Sequence, residues 1–192
     1  PNPPNNRQTR PLSSSDSSRS SELLAVVSSS PAQTEGLGGG LAAILPPGAV
    51  VHLVGDIGAG KTTFVRGAAR ALGVEGPITS PTFTIANRYV GDRQLAHIDA
   101  WRLEAPDSED MAAVLGSFDE EAVVFVEWPE QVAQSLPPPT VRVELEHRSR
   151  SERLVRFRPD ESPMSSAIVR LIADSRARYG SPESEPGGPG GG

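Results

Sequence analysis

Two apolar runs stand out from the rest of the chain, Ala49 to Val54 (Ala-Val-Val-His-Leu-Val) and Ala122 to Val126 (Ala-Val-Val-Phe-Val). Both are short and rich in β-branched residues, the pattern of strands buried on both faces. Weaker strand patterns flank them. Leu23 to Val27 predicts a short edge strand, and Phe83 to Val90 with Gln94 to Trp101 predicts a hairpin across Gly91-Asp92. Val141, Val143 and Leu145 alternate with Arg142, Glu144 and Glu146, as in a strand with one wet face. Val155 and Phe157 repeat that alternation after the polar turn Ser149 to Glu152, which predicts a second hairpin.

Helical spacing fills the intervals. Ser30-Pro31-Ala32-Gln33 has the form of a capping box with proline at the first helical position, and Leu37, Leu41 and Leu45 then recur every four residues. Gly36 and Gly38 to Gly40 each weaken that helix by roughly 1 kcal/mol relative to alanine. From Thr62 onward, Phe64, Val65, Ala68, Ala71 and Leu72 share one face, and Gly73 follows as a stop. Asp107 to Leu115, Pro129 to Leu136 and Met164 to Tyr179 predict further helices.

Between the first apolar run and the helix from Thr62 lies Gly55-Asp56-Ile57-Gly58-Ala59-Gly60-Lys61-Thr62, which fits the phosphate-binding pattern G-x-x-x-x-G-K-[ST]. Strand, glycine loop and helix in this order turn consecutive backbone N–H groups and the positive helix end toward one point, which suits polyphosphate. The fold predicted is α/β, a three-layer P-loop NTPase-like arrangement with a central, mostly parallel sheet extended by antiparallel hairpins. The segment Asp56, Ile57, Gly58, Ala59, Gly60, Lys61, Thr62 and Thr63 is expected to cradle ATP. Lys61 reaches the β- and γ-phosphates, and the Thr62 hydroxyl is a ligand for Mg²⁺.

Composition changes the picture at the ends. Residues 1–20 are dominated by Pro, Asn, Ser and Arg, and Ser181 to Gly192 is Ser, Glu, Pro and Gly, so both read as disordered tails. The domain is expected over 21–159, with 160–192 as an extension holding a short helix. A formal net charge of −6 offers no global basic field for unaided nucleic-acid binding. The absence of cysteine excludes disulfides and thiolate metal sites and fits a cytoplasmic protein. No apolar run approaches the length of a membrane span, so no membrane role is expected.

Two carboxylates end strands: Asp99 after Leu-Ala-His-Ile and Glu127 after Val-Val-Phe-Val. Both arrive at the carboxyl edge of the sheet, where open α/β folds bind ligands. The run before Glu127 is the more apolar and therefore the more central, which favours Glu127 for Mg²⁺. Asp99 is a candidate for orienting the attacking water or for capping the following turn. Thr82, Thr79 and Ser80 are candidates for sensing the γ-phosphate. Thr34 and Gln33 are candidates for the adenine edge and equally for helix capping. His97 reads as structural. Trp128 reads as core unless exposed. Arg66, Arg88 and Arg102 are the arginines within reach of phosphate.

Taken with the P-loop, Thr79-Ser80-Pro81-Thr82-Phe83-Thr84, His97-Ile98-Asp99-Ala100-Trp101-Arg102-Leu103 and Val126-Glu127-Trp128-Pro129-Glu130 resemble the TsaE (YjeE) family over roughly residues 30 to 158. The resemblance implies a small ATPase that helps install threonylcarbamoyl on the tRNA adenosine beside the anticodon. It also gives Glu127 the metal role. It implies action on the TsaD–TsaB transferase complex, with tRNA met only through that complex. Ala100-Trp101 stands where that family more often has Leu-Tyr. With no arginine finger evident, hydrolysis alone is expected to be weak and partner-stimulated. A nucleotide-gated binding module and, last, a small-molecule kinase are the competing readings.

Overall fold

The computed structural model describes residues 24–81, 84–103, 106–160 and 164–180. The elements are β1 (Ala25–Ser28), α1 (Pro31–Ile44), β2 (Val50–Val54), α2 (Lys61–Ala71), β3 (Ala86–Val90), β4 (Gln94–Asp99) and α3 (Ser108–Leu115). β5 (Ala122–Glu127), a 3-10 segment (Pro129–Ser135), β6 (Val141–His147), β7 (Arg153–Pro159) and α4 (Met164–Tyr179) follow. The strands form one sheet in the order β1-β7-β6-β2-β5-β4-β3. β6, β2, β5 and β4 are parallel at its centre, and antiparallel pairings add β7 and β1 on one side and β3 on the other.

The two strongest apolar runs become the adjacent central strands β2 and β5, as burial on both faces requires. Period-two alternation divides their side chains. Val51, Leu53, Val123 and Phe125 face a layer built from Leu37 and Leu41 of α1, Phe64 and Val65 of α2, and Ile168 and Ile172 of α4. Val50, Val124 and Val126 face Val114 of α3 and Val132 of the 3-10 segment. The result is the expected three-layer P-loop NTPase-like fold, with the parallel strands ending together at one edge.

The glycines of α1 serve packing. A Cβ on Gly38 would lie 2.0 Å from the Phe64 carbonyl oxygen, and one on Gly67 would lie 1.9 Å from that of Glu35. On Gly36 and Gly40 it would meet Tyr179 Oη and Leu171 Cδ1 of α4, each at 2.6 Å. Thus α1 sits between α2 and α4 at a distance only glycine permits. Its ends are secured separately. Ser30 Oγ accepts from the Gln33 N–H while Gln33 Oε1 accepts from the Ser29 N–H, and Arg93 donates to the Ala42 and Leu45 carbonyls.

Element ends differ from expectation where side chains outside the local pattern intervene. The expected start of β3 at Phe83 lies outside the described residues; Thr84 and Ile85 precede the strand, because their N–H groups both donate to Pro81 O and Ile85 takes a φ of 65°, and β3 starts at Ala86. β4 stops at Asp99 rather than Trp101, since the Asp99 carboxylate caps the turn by accepting from the Trp101 N–H at 3.1 Å. The segment after Trp128 is 3-10 rather than α-helical and is kinked at Val132, where φ is −128°. On the α3 face of β2, His52 is buried beside Arg142. Burial first, and the Arg142 cation second, push its imidazole down to a pKa of about 4. Among the described residues no helix is long and apolar enough to cross a membrane. The predicted tails, 1–20 and 181–192, lie outside the described residues.

Candidate functional site

The glycine loop leaves β2 and enters α2 through three left-handed glycines, with φ of 148° at Gly55, 77° at Gly58 and 105° at Gly60. Gly55 is also a close approach, since a Cβ there would lie 2.2 Å from the Leu145 carbonyl oxygen of β6. α2 opens at Lys61 with Gly60 as its N-cap and no side-chain cap. Its first amides, those of Lys61, Thr62 and Thr63, therefore have no intrahelical acceptor and face outward with the positive end of the helix dipole. Asp56 and Ala59 shape the loop through the Ala59 N–H bond to Asp56 O, at 3.1 Å, and the Ile57 side chain projects into solvent.

Lys61 is buried. Its ammonium donates to the carbonyls of Gly55 at 2.6 Å and Asp56 at 3.0 Å, and lies 3.9 Å from the centre of the Trp128 ring. Burial lowers its pKa from the ordinary lysine value, and the carboxylates of Glu127, Asp99, Glu130 and Asp56 oppose that shift. Trp128 can take this position because its backbone is left-handed, with φ of 56°, and because it packs against Trp101 with ring centres 4.4 Å apart and planes tilted by 48°. Trp101 is 40% exposed, so the pair reaches from the lysine to solvent.

Asp99 and Glu127 are register partners at the ends of β4 and β5. The Thr62 hydroxyl donates to Glu127 Oε1 at 2.8 Å, and His97 Nε2 lies 2.9 Å from the same oxygen. Asp99 accepts from the Trp101 N–H on one oxygen and from the Ser80 hydroxyl on the other. Mg²⁺ prefers oxygen ligands and retains waters, so a hydroxyl and a carboxylate in contact beside a phosphate loop fit it. Among the described residues no cluster of three or more His, Asp or Glu side chains forms a metal cage of its own.

Beside the loop opens a cavity of about 320 Å³ whose lining includes Ser30, Thr34, Gly60, Thr63, Arg150 and Arg153. Thr34 thus lies at the site. Its hydroxyl is already engaged, 2.7 Å from Ser28 Oγ and 3.3 Å from the Ser30 carbonyl oxygen it donates to. Gln33 is a capping residue instead.

Of the residues singled out in the sequence, Lys61, Thr62, Thr63, Glu127, Asp99 and Thr34 are brought to one edge. Arg66 is turned to Glu35, and Arg88 to Asp119 and the Gly116 carbonyl. Thr82 lies outside the described residues. His97 reads as structural in the sequence, and strand alternation places it on the face of Asp99, one strand from Glu127. Trp128, which reads as core unless exposed, does pack against the α3-side core and also lies against Lys61. Arg150 sits in the β6–β7 turn and Arg153 opens β7, and only the pairing of β6 with β2 carries them beside the loop.

With this geometry in place, a family model described as "Threonylcarbamoyl adenosine biosynthesis protein TsaE" matches residues 28–155. The chain belongs to the TsaE family. The tRNA threonylcarbamoyladenosine biosynthesis protein TsaE of Mycobacterium tuberculosis H37Rv is 43% identical over 125 residues, spanning 60% of this chain and 74% of that protein. TsaE of Bacillus subtilis 168 is 37% identical over 128 residues, spanning 66% of this chain and 80% of that protein. The crystal structure of Bacillus subtilis YdiB superposes with a TM-score of 0.65 at 28% identity, covering 79% of this chain and 95% of that one. The TsaE match takes in the glycine loop, both strand-ending carboxylates and the β6–β7 turn, while α4 lies beyond it. TsaE membership and the P-loop fold together point to a nucleotide-binding protein.

Proposed function

We propose that this chain binds and hydrolyses ATP with Mg²⁺ in support of threonylcarbamoyladenosine formation on tRNA. The observation that carries this reading is the contact between Thr62 of the glycine loop and the Glu127 carboxylate at 2.8 Å. The pathway comes from the relatives, which are named for tRNA threonylcarbamoyladenosine biosynthesis.

In this reading the amides of residues 56–63 receive the phosphates, and Thr62 and Glu127 hold Mg²⁺. The chemistry the ion would supply there is neutralisation of phosphate charge. Lys61 exchanges the Gly55 and Asp56 carbonyls for phosphate oxygens. Asp99, held by Ser80 and the Trp101 N–H, presents a carboxylate to orient the attacking water. The cavity at Thr34 takes the nucleoside. Arg66 is engaged by Glu35, and Arg88 by Asp119 and the Gly116 carbonyl, which supports slow hydrolysis alone. Exposed Ile57 and Trp101 give the mouth an apolar rim suited to a protein partner. The TsaD–TsaB complex is that partner, and tRNA is met through it.

The test has two parts. Nucleoside mass spectrometry is applied to tRNA from cells depleted of the protein and supplied with wild type or Lys61→Ala. Only wild type is expected to restore threonylcarbamoyladenosine, and an unchanged level on depletion overturns the pathway. ATP turnover is also measured with and without TsaD–TsaB. Equal rates would overturn the partner dependence.

A further inference from the structure

His97 is wholly buried on β4, two residues before Asp99, with its side chain on the face that carries Glu127 of the neighbouring strand. Its Nε2 contacts Glu127 Oε1 at 2.9 Å, the oxygen that also accepts the Thr62 hydroxyl. The other ring nitrogen, Nδ1, has no partner among the described residues. A hydrogen on Nδ1 would be a buried donor left unmade, at a cost of about 1–3 kcal/mol. An unpaired lone pair is the milder of the two defects. The hydrogen therefore sits on Nε2, and His97 donates it to the carboxylate.

Glu127 Oε1 is thus pinned from two sides, by a hydroxyl on α2 and an imidazole on β4, while no hydrogen bond to Oε2 is present among the described residues. A carboxylate on a strand end has free rotation about its terminal bond unless something fixes it. The single hydrogen bond from Thr62 leaves the carboxylate free to swing about that contact, and the second, from β4, removes that freedom. We infer that His97 is the positioning residue of the metal carboxylate: it holds Glu127 so that Oε2 is left for the ion or its waters. This rests on the reading of Glu127 as the Mg²⁺ carboxylate. Partners of this kind, behind a ligating side chain, typically contribute about 10–100-fold in metal affinity.

The experiment is calorimetric titration of ADP into the full chain, once with Mg²⁺ and once with EDTA. His97→Phe is expected to weaken binding about tenfold with Mg²⁺ and to leave it unchanged in EDTA. His97→Gln, which keeps a donor, is expected to recover most of that loss. Equal losses in both conditions, or none in either, overturn the proposal. Ring-nitrogen NMR on metal-free wild-type protein gives a readout independent of any variant's folding. Hydrogen on Nε2 is expected, and hydrogen on Nδ1 overturns the argument. Glu127→Gln separates the two layers. If it retains full Mg²⁺ dependence, the metal assignment itself fails and His97 falls with it. If it abolishes that dependence while His97→Phe keeps it, only the role of His97 is overturned.

Discussion

Gly36 to Gly40 and Gly55 to Gly60 are both glycine-rich, yet they use the missing side chain differently. In α1 the backbone is ordinary helix, and what matters is room, since carbonyls of α2 and side chains of α4 occupy the space a Cβ would need. In the loop what matters is chiefly the sign of φ, with only Gly55 also needing room, against the Leu145 carbonyl. Around Gly60, at φ of 105°, the nearest atoms to an added Cβ would be Thr34 Cγ2 at 3.7 Å and Leu145 Cδ2 at 3.8 Å, ordinary contacts. Glycines in a helix therefore mark a seam between elements, and glycines in the loop mark a backbone shaped for a ligand. The first set should govern stability and the second binding.

The sharpest break of that contrast is Gly38→Ala or Gly67→Ala. Each forces a Cβ onto backbone oxygen, and a loss of about 3 kcal/mol or more is expected in urea unfolding. A midpoint equal to wild type would remove the seam from the account. Gly60→Ala comes next and should act on the other property. Left-handed strain costs about 1–2 kcal/mol, and the chain stays folded. Nucleotide affinity falls about tenfold, the worth of one charge-assisted hydrogen bond. Calorimetry on the folded variant checks this.

Acidification sharpens the comparison by lowering stability without touching either glycine set. His52 stays neutral in the folded chain down to about pH 4, whereas the unfolded chain protonates it near the ordinary 6.5. Its contribution is complete above pH 6.5 and is lost as pH falls from there toward 4. His52→Leu should flatten that part of the stability profile, and Gly38→Ala should unfold at a higher pH than wild type. The smallest effect is reserved for Gly36→Ala. Only the far end of the Tyr179 side chain obstructs it, and the gain in helix propensity of up to about 1 kcal/mol offsets the adjustment. A thermal midpoint close to wild type is the expected outcome.

The glycine loop, the two central strands and the strand-ending carboxylates were legible because each is a local pattern with a local cause. The α1 glycines were legible only as a weakness, since their compensation comes from α2 and α4, far along the chain. His97 was within reach, because alternation from Asp99 puts it on the right face, but a histidine among apolar neighbours looks like core until its partner strand is known. Trp128 depends on a left-handed backbone that no tryptophan advertises. Arg150 and Arg153 come to the cavity through strand order, a property of the whole sheet. The early ends of the β3–β4 hairpin reflect hydrogen bonds to Pro81 and Asp99 that propensity does not contain.

The chain has only two tryptophans, and they are the packed pair between Lys61 and solvent. Light absorbed by indole anywhere in this protein is therefore re-emitted from one spot, against the ammonium that a phosphate would draw away. The molecule carries its own optical gauge of occupancy, and no dye or label has to be added to read it.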